Sequence, residues 1–150
     1  MIKFIYVLAL TFLVSACTFL EPQYKGDEKF KFQKLEGKSL KFTVGAKIYN
    51  PNKYTIKIKP SDLDVLIEDD FMGVIHLDKT IKLKRKQELF IDAPFTATLA
   101  NGALFKALKF ATKGQLDVTL KGKVKAGVFI FSKKFDVDEK TKINGSSLKF

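Results

Sequence analysis

Apolar and polar residues alternate one for one along most of this chain. Leu40, Phe42, Val44, Ala46 and Ile48 alternate with Lys41, Thr43, Gly45 and Lys47. Leu89, Ile91, Ala93, Phe95, Ala97 and Leu99 keep one phase, and Leu116, Val118 and Leu120 repeat the theme, with Val124 and Ala126 in step. A period of two puts one side of a strand on a core and the other in water. Antiparallel sheets with one wet face read this way, whereas strands of buried parallel sheets are apolar throughout. The pattern predicts strands near 29–36, 39–49, 54–68, 71–77, 87–99, 115–126 and 128–138. Ile81 and Leu83 mark a further short extended piece. The fold class is therefore mainly β, an antiparallel β-sandwich of about seven strands with one short helix.

Two segments depart from the simple pattern. Tyr54, Ile56 and Ile58 are even-numbered, while Leu63, Val65 and Ile67 are odd. A slip of one residue would turn every later side chain to the wrong face, so a bulge or kink is expected at Pro60-Ser61. Residues 101–114 fit a helix instead, with Ala103, Leu104, Ala107, Leu108 and Ala111 on one face and Lys106 and Lys109 on the other. Asn101 is the expected cap at its start and Gly114 at its end. Asp69-Asp70 is the expected turn before the strand at 71–77.

The first residues follow a different logic. Lys3 precedes an apolar run from Phe4 to Val14, broken only by Thr11, and small Ser15 and Ala16 come next. That order is expected of a secretory signal over 1–16. Its apolar part is about 13 residues, short of the roughly 20 that a membrane-spanning helix needs. Val14-Ser15-Ala16-Cys17 resembles a bacterial lipobox, which implies cleavage between Ala16 and Cys17 and a lipid on the Cys17 thiol. Cys17 is the only cysteine, so an intrachain disulfide is impossible. The alternative is a soluble secreted protein with a chance cysteine near the cut. Two or three acyl chains would hold the protein firmly on a bilayer, where one holds marginally. Residues 17–28 are then expected to be a lipidated tether, and 29–150 a single domain.

Composition refines this picture. Lys and Arg total 27 and Asp and Glu 16, a formal net charge of +11. Without Lys3, the chain from Cys17 onward carries 26 − 16 = +10. Fifteen phenylalanines supply material for a core. The lysines mostly occupy the wet phase of strands, and Lys82-Leu83-Lys84-Arg85-Lys86 is the densest basic run. Weak attraction to anionic lipid or another polyanion is one expectation. A soluble sheet with lysine-guarded edges is the plainer one. Nucleic acid is not an expected partner, since no stacking motif is present.

Candidate chemistry is sparse. His76 is the only histidine and lacks the Cys, His or carboxylate partners of a metal site. Asp62-x-Asp64 and Asp136-x-Asp138-Glu139 lack the spacing and glycine of a calcium loop. No phosphate-binding glycine loop and no nucleophile with an evident base stands out. The expectation is no enzyme, no catalytic residue, no metal and no cofactor.

Lys47-Ile48-Tyr49-Asn50-Pro51-Asn52 ends one alternating run and begins another. Pro51 presets a turn, and Asn52 tolerates a left-handed backbone. With Gly73-Val74, the alternating run Glu88–Leu99, and Val118-Thr119-Leu120-Lys121-Gly122-Lys123-Val124, this series resembles the late embryogenesis abundant type 2 family, also called the water-stress and hypersensitive-response (WHy) domain. The resemblance covers roughly 38–143. It implies an immunoglobulin/fibronectin-III-like sandwich, an association with desiccation or stress, no catalytic residues, and structural roles for Asn50, Pro51 and Asn52. The expected function is a non-enzymatic lipoprotein of the bacterial cell envelope, on the outer membrane if the cell is Gram-negative. Its sandwich would be an interaction or stress-protective module, and its partners the membrane through acylated Cys17 and a protein. The alternative is a carrier of lipid or another hydrophobic ligand, held in a groove lined by apolar side chains of the last strand and the helix, which an apolar cavity of roughly 300 Å³ or more would favour. A hydrolase would need a cleft with convergent polar groups.

Overall fold

The computed structural model describes residues 19–144. Ala16 and Cys17, the expected cleavage and acylation positions, lie outside the described residues. In chain order the strands are β1 (Gln23–Tyr24), β2 (Lys29–Glu36), β3 (Ser39–Asn50), β4 (Ile56–Ile58), β5 (Asp62–Ile67), β6 (Asp70–Leu77), β7 (Ile81–Leu83), β8 (Gln87–Leu99), β9 (Gln115–Val128) and β10 (Phe131–Asn144). One helix, α1 (Ala103–Phe110), joins β8 to β9. Every strand pair is antiparallel. Pairing runs β2–β3–β8–β6–β5–β9–β10, with β1 beside the end of β3, and β4 linking β9 to β7. The molecule is mainly β, with one short helix, and has the character of an immunoglobulin-like sandwich.

Ten strands stand where about seven were expected, and each extra one has a local cause. Ile81–Leu83 pairs with β4. Residues 54–68 divide into β4 and β5 at the expected phase slip. Both strands run along β9, Ile58 opposite Ala126 and Leu63 opposite Gly122. That is five steps on one side (63 − 58) against four on the other (126 − 122), an insertion of one residue. Pro60 has no N–H for the ladder, and Ser61 supplies the missing polar contacts. Its hydroxyl donates to the Lys59 carbonyl at 2.9 Å and accepts from the Lys125 N–H at 2.9 Å. Ser61→Ala is expected to cost about 1–2 kcal/mol, because the Lys125 donor loses its acceptor. Urea denaturation checks it, and an unchanged midpoint would mean that water replaces the hydroxyl.

β1 is the third addition, and it changes the expected tether. Gln23 and Tyr24 pair with Tyr49 and Ile48. The Lys25 N–H donates to the Lys47 carbonyl, and the Lys47 N–H to the Gly26 carbonyl. The stretch polar enough to read as a loose linker is thus laid along β3, because the end of that strand offers open backbone groups.

Turn chemistry also departs from expectation. The β5–β6 turn is Glu68-Asp69, one residue earlier than Asp69-Asp70, and both residues have positive φ (52° and 65°). A two-residue hairpin turn of this hand suits the twist of its strands. Glu68 tolerates it because its N–H donates to the Asp117 carbonyl and its carboxylate accepts from the Asp117 N–H, both at 2.9 Å. The strand expected at 128–138 is shifted, since Phe129 and Ile130 form the turn between β9 and β10. No glycine, asparagine or proline marks that turn.

The helix buries Ala103, Ala107 and Phe110, while Leu104 and Leu108 stay exposed. Asn101 does not cap it: Gly102 occupies the cap position with φ 75° and no side-chain cap bond, and the Asn101 amide oxygen accepts from the Lys38 ammonium instead. Gly114 does not close it either, because Ala111 already ends the helix. The buried helix face joins Ile67, Met72 and Leu116 in one apolar cluster. Fully burying a leucine such as Leu116 contributes about 1.5–3 kcal/mol.

Candidate functional site

Alternation places the apolar side chains of β2, β3, β8, β6 and β5 around one interior. They do not fill it. A cavity of about 480 Å³ lies among them, closed on one side by α1. Phe30 and Phe32 enter from β2, Leu40 and Phe42 from β3, Ala97 and Leu99 from β8, Met72 and Val74 from β6, and Val65 and Ile67 from β5. Ala103, Leu104 and Ala107 form the helix side. Thr98 is the only lining residue with a polar side chain. Rings are graded across one wall: Phe30 meets Phe42 at 5.5 Å between centroids, and Phe42 meets Phe95 at 5.6 Å. Phe30, Phe32 and Leu104 are exposed at the rim. The site can take up apolar matter, and its lining contains no charged side chain.

The Asn-Pro-Asn turn lies at the other end of the sandwich, where β3 finishes. Asn50 is completely buried. Its Nδ2 donates to the Tyr54 carbonyl at 2.9 Å and to the Leu83 carbonyl at 2.8 Å. Its Oδ1 accepts from the Asn52 N–H at 3.0 Å and from Asn52 Nδ2 at 2.9 Å. Asn52 then grips the N-terminal segment: the Leu20 N–H donates to Asn52 Oδ1 at 2.9 Å, and Asn52 Nδ2 donates to the Leu20 carbonyl at 2.6 Å. Pro51, buried between them, has no N–H to donate, which suits a turn held mainly by side-chain amides, with one backbone bond from the Lys86 N–H to the Asn52 carbonyl at 3.0 Å. The two asparagines close a polar knot, and neither faces the cavity.

The other sequence candidates stay apart. His76 Nδ1 lies 2.7 Å from Asp62 Oδ1, a cross-strand pair on an exposed face. Asp64 stands opposite Val74, and Asp136 pairs with Lys123 at 3.4 Å. Among the described residues no three His, Cys, Asp or Glu side chains gather to hold a metal ion. No described helix is long and apolar enough to cross a membrane. On the β9–β10 seam, a hydrogen bond from Lys140 holds the Asp117 carboxyl below its ordinary range and raises the Lys140 ammonium. That pair is a surface clasp.

The helix lines the cavity as expected, but the last strand does not: the rest of the lining is drawn from five other strands, and each contributor looks like ordinary core in the sequence. The visible clue was the excess of phenylalanine, with Phe30 and Phe32 on a strand too exposed to need them.

These features define an antiparallel β-sandwich with an apolar hollow and a side-chain-built turn. The family model described as late embryogenesis abundant protein (LEA_2) matches residues 46–141. That is more than half of the chain, and the protein belongs to this family. Among solved structures it is similar to a protein from Archaeoglobus fulgidus, with 10% identity, 81% of this chain and 97% of that one covered, and a TM-score of 0.56. It is also similar to a protein from Arabidopsis thaliana, with 14% identity, 87% and 86% covered, and a TM-score of 0.49. At such identity the first likeness speaks for the fold alone. No curated protein matches the chain.

Proposed function

We propose that this chain is a non-enzymatic protein of the bacterial cell envelope, held to a membrane through acylated Cys17, whose sandwich takes up a hydrophobic ligand. An acyl chain is the chemistry that suits it. The cavity of about 480 Å³ carries this reading. It exceeds the roughly 300 Å³ at which ligand pockets begin. Each methylene that enters gains about 0.8 kcal/mol, while the lining presents almost nothing for a polar ligand to hydrogen-bond. Water has correspondingly little to hold it there. Family membership favours a second reading, a stress-protective interaction module at the membrane, in which the cavity is incidental.

The two are separated by native mass spectrometry of the protein purified from its host and offered a long-chain fatty acid. The expected result is a saturable non-covalent adduct. Ala97→Phe, which fills the cavity, and Leu104→Glu, which charges its exposed rim, should each weaken it at least about tenfold, equivalent to losing roughly two buried methylenes. Leu104 is exposed, so its variant tests the site without burdening the core. No adduct, or equal retention by both variants, would remove the ligand reading.

A further inference from the structure

The end of the sandwich opposite the cavity carries an apolar feature that the core does not use. β9 and β10 are joined by a two-residue turn, and three consecutive apolar side chains project there. Phe129 is 77% exposed, Ile130 89% and Phe131 76%. Phe129 also has φ 54°. A bulky side chain rarely adopts that conformation, and hairpin turns normally give such positions to glycine or asparagine. Neither sheet pairing nor packing calls for these residues at the tip.

Their surroundings have a consistent chemistry. From Ala126 to Phe135 the hairpin has no acidic residue, and Lys133 and Lys134 follow the tip. Val128 is level with Ile56, and Ile56 with Leu83. The exposed turn Lys84-Arg85-Lys86, which leaves β7 at Leu83, therefore projects from the same end. That places the densest basic run of the sequence beside the most exposed apolar one. Asp136, five residues past Phe131, is paired with Lys123, and exposed Glu88, two residues past Lys86, is the acidic residue nearest the basic run in sequence. The chain also enters the fold at this end. The Phe19 ring stacks on Phe135 at 6.4 Å and shares a shallow apolar depression with Phe131, while Asn52 fixes Leu20.

We propose that the Phe129–Phe131 tip inserts into the interfacial layer of a bilayer containing anionic phospholipid, with the lysines and Arg85 at headgroup depth. The feature is convex, three apolar side chains on a narrow turn inside a basic collar. A bilayer accepts that shape anywhere on its surface, whereas a protein partner would need a matching pit. Lys134 stands three residues behind Phe131, about 10 Å along the strand. Interfacial segments bury their apolar face by about 5–10 Å, so the ammonium groups would meet the phosphates as the rings enter. The proposal rests on the membrane reading above and deepens it: lipid at Cys17 and the tip would grip from one end, turning the cavity toward the aqueous side.

The chain has no tryptophan, so one introduced indole is a clean reporter. The full protein purified from its host is reconstituted on vesicles of phosphatidylcholine and phosphatidylglycerol, with acyl chains brominated or not. Phe131→Trp is expected to be quenched by brominated lipid at least about twofold. Phe105→Trp, at an 81% exposed position on α1, should be unaffected. Phe129→Asn with Ile130→Gly keeps a favourable hairpin turn without the apolar tip, and should abolish the quenching of Phe131→Trp while leaving the unfolding midpoint unchanged or raised. Omitting phosphatidylglycerol should weaken the quenching. Sedimentation with vesicles without quenching at 131, or equal quenching in the Asn-Gly background, overturns the tip and spares the anchor. Failure to sediment at all overturns both. The cavity reading is judged separately, by the fatty-acid adduct.

Discussion

Gly73→Ala is expected to destabilise the protein by about 3–5 kcal/mol, the sum of backbone strain and overpacking. Gly73 sits inside β6, between Val65 of β5 and Leu99 of β8. Its φ is +151°, a region that residues with a Cβ seldom enter. A methyl built there would overlap the Thr98 carbonyl oxygen and lie 3.1 Å from Leu99 Cα. Both are backbone atoms held in a ladder, so neither yields without moving a strand. Because Gly73, Thr98 and Leu99 also line the cavity, the same shift would deform it. Chemical denaturation measures the loss. A variant within about 1 kcal/mol of the parent would mean that β6 and β8 separate more easily than a continuous ladder implies.

Asn50→Ala is the second large effect, about 3–4 kcal/mol, or roughly 10 °C in melting temperature. The Asn50 side chain uses both donor hydrogens and both acceptor sites of its amide inside the protein, with 0% of the residue exposed. Removing it leaves the carbonyls of Tyr54 and Leu83 without that donor, and two Asn52 donors without that acceptor. Each buried unsatisfied group costs about 1–3 kcal/mol, and partial entry of water lowers the sum. Asn50→Asp should be at least as damaging, since it points a carboxylate at two carbonyl oxygens in a site closed to solvent. Asn52→Ala should cost less and should free the N-terminal segment, seen as faster amide exchange at Leu20. A melting temperature unchanged in Asn50→Ala would overturn the view that this turn is built by side chains.

The two positions show how differently motifs can be read. Asn50, Pro51 and Asn52 announce a turn by residue type alone, because each biases its own backbone. Which carbonyls the Asn50 amide would reach depends on β7, more than thirty positions away in sequence. Gly73 is similar. Its place in a short segment before a long strand is legible, but the reason for it, the approach of the Thr98 carbonyl, exists only once β6 lies against β8.

Local order was within reach of the sequence because it depends on near neighbours. Alternation located most of the strands, the parity change at Pro60-Ser61 located a one-residue insertion, and a period shift marked the helix, although β2 stays exposed along its whole length and Gly45 of β3 is buried where Val44 was expected to be. Where a second element decides the outcome, the string of residues was silent or misleading. Polar residues 23–24 became a strand because β3 offered them open hydrogen-bonding groups. The helix turned to bury Phe110 where Leu108 was expected, because the cluster of Ile67, Met72 and Leu116 lies on that side. Apolar Val128–Phe131 read as continuous strand, since nothing in its composition signals a turn.

What the sequence determined by itself is the class of protein: an antiparallel β body, basic outside, with its turns and helix nearly in place. Periodicity and turn preference act over a few residues and need no partner. What only the tertiary structure decided is the hollow left inside and the pole at which apolar and basic side chains gather. A cavity is a failure of distant side chains to fill a shared volume, and a patch is a coincidence of distant loops at one surface, so both are properties of packing and are written in no single stretch of chain.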